Sequence, residues 1–224
     1  MSQLTTSPVP SAPAQPSPPT PPGPPVTSAR VTVVVAVVWT LVMVVTAVIA
    51  LVAKGDMQAW AEGTGGDSAG FLLLLGCAGA ATLCMPTAWA AGAIWLYGLR
   101  RVAEAVAPGH WHRRSVVWSV LGWGVPVVNL WFPLQAVGDA MSALGVRARG
   151  LLPIWWVTWL LAFFGMNAGQ ALGGDLLTAQ DVERWVIGHC VAAVVMVLAL
   201  PGWILVVRRA TAAAVERSAM AGVR

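Results

Sequence analysis

Residues 115–139 read SVVWSVLGWGVPVVNLWFPLQAVGD. The stretch is apolar and long enough to sit in a membrane. Yet Pro126, Pro133, the Gly122-Trp123-Gly124 triplet and the amide of Asn129 interrupt the helix that a crossing requires. Proline takes a donor out of the helical ladder, and glycine weakens it. In lipid, backbone groups freed in this way are tolerated only where protein or a water-filled cavity satisfies them. A broken membrane segment is therefore the first place to seek a binding or conducting site.

The rest of the chain fixes the setting of this segment. Hydrophobic residues make up 58% of the 224 and charged residues 10%, against about 25% charged in an ordinary soluble domain. Apolar runs fall at 33–53, 70–99, 115–137, 151–172 and 186–207, each reaching the ~20 residues of a spanning helix. A soluble core of this size hides one or two such runs, not five. The pattern predicts an all-α fold, a polytopic membrane helix bundle.

Charge predicts the topology, because lysine and arginine collect in short cytoplasmic loops. The connection 100–114 carries Arg100, Arg101, Arg113 and Arg114, and the C-terminal stretch carries Arg208, Arg209, Arg217 and Arg224. Both are expected inside. Loop 54–69 sets Lys54 against Asp56, Glu62 and Asp67, and loop 173–185 sets Arg184 against Asp175, Asp181 and Glu183. Both are expected outside. Segment 115–137 lies between basic loops, since Arg147 and Arg149 follow it. An even number of crossings keeps eleven of the thirteen basic residues inside, all but Lys54 and Arg184. The expectation is four spanning helices at 33–53, 70–99, 151–172 and 186–207. A fifth, Pro/Gly-broken element at 115–137 is then re-entrant or interfacial on the cytoplasmic side, although length alone would let it span.

This reading divides the chain into a disordered Pro-rich cytoplasmic tail (1–30), a transmembrane domain (31–209) and a cytoplasmic C-terminal tail (210–224). It places a multi-pass protein in the cell membrane with both termini in the cytoplasm. The first thirty residues carry no positive charge before Arg30 and no small-residue cleavage site after a short apolar core, so they do not read as a signal peptide. Their prolines, mixed with Ser, Thr and Gln, favour polyproline II or disorder. The PPGPP at 21–25 suits an aromatic groove on a cytoplasmic partner, and a plain solvated leader accounts for the same composition. Thirteen tryptophans stand against one tyrosine, and such rings favour the membrane interface. Trp95, Trp111, Trp155, Trp156, Trp159 and Trp203 fall near expected cytoplasmic ends, where Trp118, Trp123 and Trp131 of the broken segment would thicken the layer. Ordinary girdle anchoring explains the same distribution.

The order Gly122-Trp123-Gly124-Val125-Pro126-Val127-Val128-Asn129-Leu130-Trp131, followed by Pro133 and Gln135-Ala136-Val137, resembles the signature of the domain of unknown function 4328 family. Trp95-Leu96-Tyr97 resembles the helix that precedes it. The motif residues under this resemblance are Gly122, Trp123, Pro126, Asn129, Leu130, Pro133 and Gln135. The resemblance covers about residues 95–142 well and the other helices by hydrophobicity. It implies a bacterial multi-pass membrane fold and no particular activity.

Side-chain chemistry narrows the function further. The apolar runs hold no Asp, Glu, Lys or Arg at depth, where proton-coupled pumps place theirs; backbone carbonyls remain able to coordinate a cation. His189 stands alone in its run, which favours packing over ligation. His110 and His112 flank Trp111 beside two arginines. Two nitrogens do not complete a zinc site, and the loop suits anionic headgroups at the cytoplasmic face, at about 1 kcal/mol per basic residue. Cys77, Cys84 and Cys190 are odd in number, lack a C-x-x-C spacing and lie in apolar runs, so they read as small hydrophobes rather than a disulfide framework. Gly165, Gly169 and Gly173 repeat every four residues, giving a helix face for close backbone approach, within the bundle or in a homo-oligomer. Gly76, Gly79 and Ala80 offer a second small face.

No phosphate-binding loop, dinucleotide fingerprint, hydrolase elbow or zincin helix is present. No catalytic, cofactor or metal residues are expected, and the arginines sit where topology needs them rather than in a nucleic-acid patch. The expectation is a non-enzymatic envelope scaffold, sensor or assembly partner, in contact with the lipid bilayer. The alternative is a small channel or solute transporter subunit, with 115–137 lining the path and Asn129 as a polar contact.

Overall fold

The computed structural model describes residues 22–65, 68–125, 127–147, 150–174 and 176–222. Every regular element among them is helical. Four helices are long: α1 (Val26–Val52), α3 (Ser68–Val106), α6 (Leu151–Gly173) and α7 (Ala179–Met220). The short ones are α2 (Lys54–Ala61), α4 (Trp118–Leu121) and α5 (Phe132–Ala143), with a 3-10 turn at Val128–Leu130 before α5. The four long helices are long and apolar enough to cross a membrane.

Helix α1 is rich in valine, a mediocre helix former in water. In lipid its backbone has no other partner than itself, so composition no longer decides. One face buries Trp39, Met43, Ala47 and Ala50, while Val34, Val38, Leu41, Val45 and Val48 stand more than 40% exposed on the other. An apolar strip of that extent suits acyl chains and not water. The threonines facing inward are satisfied: Thr32 donates to the carbonyl of Ala91 on α3 (2.8 Å), and Thr40 and Thr46 donate back to Ala36 and Val42.

The helices overrun the apolar runs. At 1.5 Å per residue, α3 with 39 residues and α7 with 42 extend about 58 and 63 Å, about twice a ~30 Å hydrocarbon core. Pro86 and Pro201 lie inside them, and both helices continue through. Of the stretch 210–224 assigned to a C-terminal tail, residues 210–220 are the last three turns of α7. They bury Ala210, Thr211, Ala214 and Ser218. Likewise α1 starts at Val26, inside the stretch assigned to the N-terminal tail, with Ala29 buried. Loop 54–69 contains α2, whose Gln58 donates to the carbonyl of Ala179 (3.2 Å) while Lys54 pairs with Glu183 (2.8 Å), fastening α2 to the start of α7. Thr178 caps α7 by accepting from the N–H of Asp181, as N-cap threonines do.

Packing is tightest at the end where arginines gather. There Trp95, Leu96, Leu99, Val102, Ala103, Val137, Ala140, Val206, Ala210 and Ala214 are fully buried at 0% exposure. They come from α3, α5 and α7, with α5 packed against α3 and α6 while α3 also meets α7.

Candidate functional site

Segment 115–144 does not form a fifth long helix. After α3 the chain turns at Pro108-Gly109, with the N–H of His110 donating to Ala107, and then makes the single turn of α4. Gly122 closes that turn because nothing larger fits: a Cβ there would stand 2.6 Å from the Trp118 carbonyl oxygen and 3.1 Å from the Phe132 Cβ. Trp123 is then laid flat on α3 where Gly92 leaves room, its ring atoms 3.5–3.8 Å from the position a Gly92 Cβ would take. Gly92 lies eight residues before Arg100, or about 12 Å along the helix axis. Trp123 thus meets α3 about 12 Å along the axis from Arg100.

The return path is pinned by polar contacts. The carbonyl of Leu130 accepts the indole N–H of Trp156 at 2.8 Å. Pro133 sits in the first turn of α5, where its missing N–H costs nothing. Gln135 accepts from Nε of Arg114 at 3.1 Å, and the Arg114 guanidinium lies 3.9 Å over the Phe132 ring. Asn129 is buried and its Oδ1 has no partner among the described residues. Val127 holds φ at +67°, a region that β-branched residues rarely adopt. Pro126 lies outside the described residues. Of the motif, then, Gly122 and Trp123 serve packing, Leu130 and Gln135 serve anchoring, and Pro133 starts a helix.

Residues outside that motif hold the segment most firmly. The buried carboxylate of Asp139 takes three bonds from Arg113: the backbone N–H at 2.9 Å, Nε at 2.9 Å and Nη2 at 2.7 Å. This forked, charge-assisted contact ties the loop before α4 to the middle of α5. A second unforeseen bond, from the Trp95 indole N–H to Thr211 (3.0 Å), ties α3 to α7.

Six tryptophans form one connected cluster: Trp95, Trp123, Trp155, Trp156, Trp159 and Trp203. Trp203 on α7 stacks on Trp155 (4.5 Å between centroids) and meets Trp95 and Trp123 edge-on, while Trp156 and Trp159 continue along α6 by stacking at 4.9 Å. Beside them, α1 contributes Trp39 and α3 contributes Trp89 to a cavity of about 50 Å³ that Trp123, Trp155, Trp159 and Trp203 also line. The buried indole N–H groups of Trp39, Trp89 and Trp123 have no partner among the described residues. Space of that size holds a few waters.

A second cavity, open and about 490 Å³, lies at the other side of the broken segment between α3 and the 107–115 loop. Arg100, Glu104, His110, His112, Arg113 and Arg114 line it. The His110 and His112 rings meet edge-on at 4.9 Å, and both ring nitrogens of His112 are buried without a partner among the described residues. Burial, Arg100 and His110 push the His112 imidazole below its ordinary range, while Asp139 and Glu104 pull the other way. Among the described residues, no three His, Cys, Asp or Glu side chains come together as metal ligands.

The glycines of the four-residue repeat differ in what they meet. Gly169 meets Gly188 of α7 backbone to backbone, a Gly169 Cβ standing 2.8 Å from the Gly188 Cα. A Cβ at Gly165 would reach Val191 at an ordinary 3.9 Å, the Gly165 carbonyl oxygen lies 3.3 Å from where a Gly188 Cβ would stand, and Gly173 ends α6. His189 contacts the Trp185 carbonyl through Nδ1 (2.9 Å) and stacks on that indole. Cys77, Cys84 and Cys190 are free thiols. Gly76 and Gly79 face open space.

The molecule is thus an all-helical bundle with four helices fit to span a membrane and a broken element packed against one end. The family described as Domain of unknown function (DUF4328) matches residues 66–212. The chain belongs to that family. No curated protein and no solved structure matches it.

Proposed function

We propose that the protein is a non-enzymatic integral membrane scaffold or sensor, with both termini in the cytoplasm and segment 115–144 entering from the cytoplasmic side. The observation that carries this reading is the Arg113–Asp139 fork together with the fully buried contacts among α3, α5 and α7. A segment this firmly fastened acts as a keystone, joining the projecting helix ends into a platform beneath the bilayer. The basic residues then face anionic headgroups, and the proline-rich tail supplies an arm for a cytoplasmic partner.

One observation favours the alternative of a small channel or transporter subunit. The unpartnered Asn129 Oδ1 and the three unpartnered indoles beside the break are groups that water in a path would satisfy. Single cysteines at 118, 123, 129 and 132, introduced into a chain whose three native cysteines are alanine, separate the two. In intact membrane vesicles a scaffold leaves all four protected from a water-soluble maleimide. Reaction at 123 and 129 transfers the assignment to a conducting path.

A further inference from the structure

We propose that the cavity between α3 and the 107–115 loop is a binding site for a phosphate group, held by the guanidinium edges of Arg100 and Arg114 and by the imidazoles of His110 and His112. This assignment does not rest on the scaffold reading above. It starts from what is already spent and what is left over. Arg113 is committed to Asp139 through three bonds. Arg100 uses Nε on Glu104 (2.9 Å), and Arg114 uses Nε on Gln135. An arginine offers five N–H donors, so the Nη groups of Arg100 and Arg114 have no partner among the described residues. His112 adds two buried, unpartnered ring nitrogens.

The electrostatics select an anion. Three arginines, Arg100, Arg113 and Arg114, against Glu104 and Asp139 leave one net positive charge with both imidazoles neutral, and three with both protonated. Planar guanidinium forks match phosphate oxygens, and a ligand oxygen would satisfy a ring nitrogen of His112 once that ring is protonated. The groups facing His112 are Arg100 and Glu104 from α3, His110 from its own loop and Asp139 from α5. The two cations among them resist its protonation. A bound anion cancels that resistance, so binding takes up a proton and strengthens as the pH falls. The phosphate could belong to a lipid headgroup or to a free ion, and the experiment separates the two.

Full-length protein in neutral detergent is titrated with inorganic phosphate at about pH 8 and about pH 6, on either side of the ordinary imidazole range. In parallel, nanodiscs of phosphatidylcholine with a minor share of phosphatidate are examined for retained lipid by native mass spectrometry. The variants are His112→Gln and Arg114→Gln, with Arg114→Lys to retain charge, and near-ultraviolet circular dichroism verifies that each is folded. Free phosphate binding that falls about tenfold in His112→Gln at the lower pH, and by less at the higher pH, identifies a site for the free ion. Phosphate's own titration is common to both proteins and cancels in that ratio. Selective retention of phosphatidate without phosphate binding, reduced in His112→Gln and Arg114→Gln and restored in part by Arg114→Lys, identifies a headgroup site. Absence of both, or binding unchanged in the folded variants, overturns the proposal.

Discussion

Asp139 shows how one side chain can set the course of a segment. Its carboxylate is 9% exposed and serves three donors of Arg113, which is itself 45% exposed. Replacing it with asparagine removes the charge and keeps the size. Because water screens the arginine, Asp139→Asn is expected to cost about 1–2 kcal/mol, read as a lower unfolding temperature in detergent. Arg113→Lys gives a similar loss, since a lysine cannot make the fork. Gly122→Ala tests sterics instead, because the new methyl meets a carbonyl oxygen at 2.6 Å. Overpacking of this kind costs about 1–3 kcal/mol, and the loosened segment should digest faster with protease. The importance of Gly122 and Trp123 was legible from sequence because breakers in an apolar run stand out. That of Asp139 was not. An acid at the end of such a run looks like an ordinary helix boundary, and its partner stands 26 residues away.

Between elements, the same logic distinguishes residues that look equivalent. Gly165 and Gly169 share one stripe and both lie by Gly188, yet only at Gly169 would an added Cβ strike that backbone. Gly169→Ala and Gly188→Ala should each force α6 from α7 and lower the unfolding temperature, while Gly165→Ala is tolerated with only an ordinary contact at 3.9 Å. A thermal melt of the three variants checks this order. The repeat itself was visible, but which helix it served was not, because Gly188 is isolated in sequence and marks no motif. Helix ends were misread for a related reason. Hydrophobicity ends where lipid ends, whereas a helix ends where backbone bonding and packing end. Past Arg208 the face of α7 continues as Ala210, Thr211, Ala214 and Ser218, small residues that leave no hydropathy signal and are still buried, Thr211 against Trp95 of α3.

Over the whole molecule, the assembly at the Arg-rich end depends on residues that composition assigns to a tail. Deleting 208–224 removes Thr211, the acceptor for Trp95, and uncovers Leu96, Leu99 and Val102. The truncated protein is expected to aggregate on extraction or to melt well below the full chain in a detergent thermal scan. Four helices long and apolar enough to span were legible from length and hydropathy. Where the broken element rests on α3 was not, because the contact of Trp123 with Gly92 is one of shape. The aromatic cluster has one more consequence, an optical one. Indoles from α3, the broken segment, α6 and α7 meet around Trp203, with rings as close as 4.5 Å. Transition dipoles at that range couple, and the part of the coupling that passes through Trp203 depends on α3, the broken segment, α6 and α7 staying together. The native protein should therefore display an exciton couplet in the far ultraviolet that weakens in Trp203→Phe to the share left by the Trp155, Trp156 and Trp159 pairs within α6, giving a label-free readout of whether the elements around Trp203 have closed.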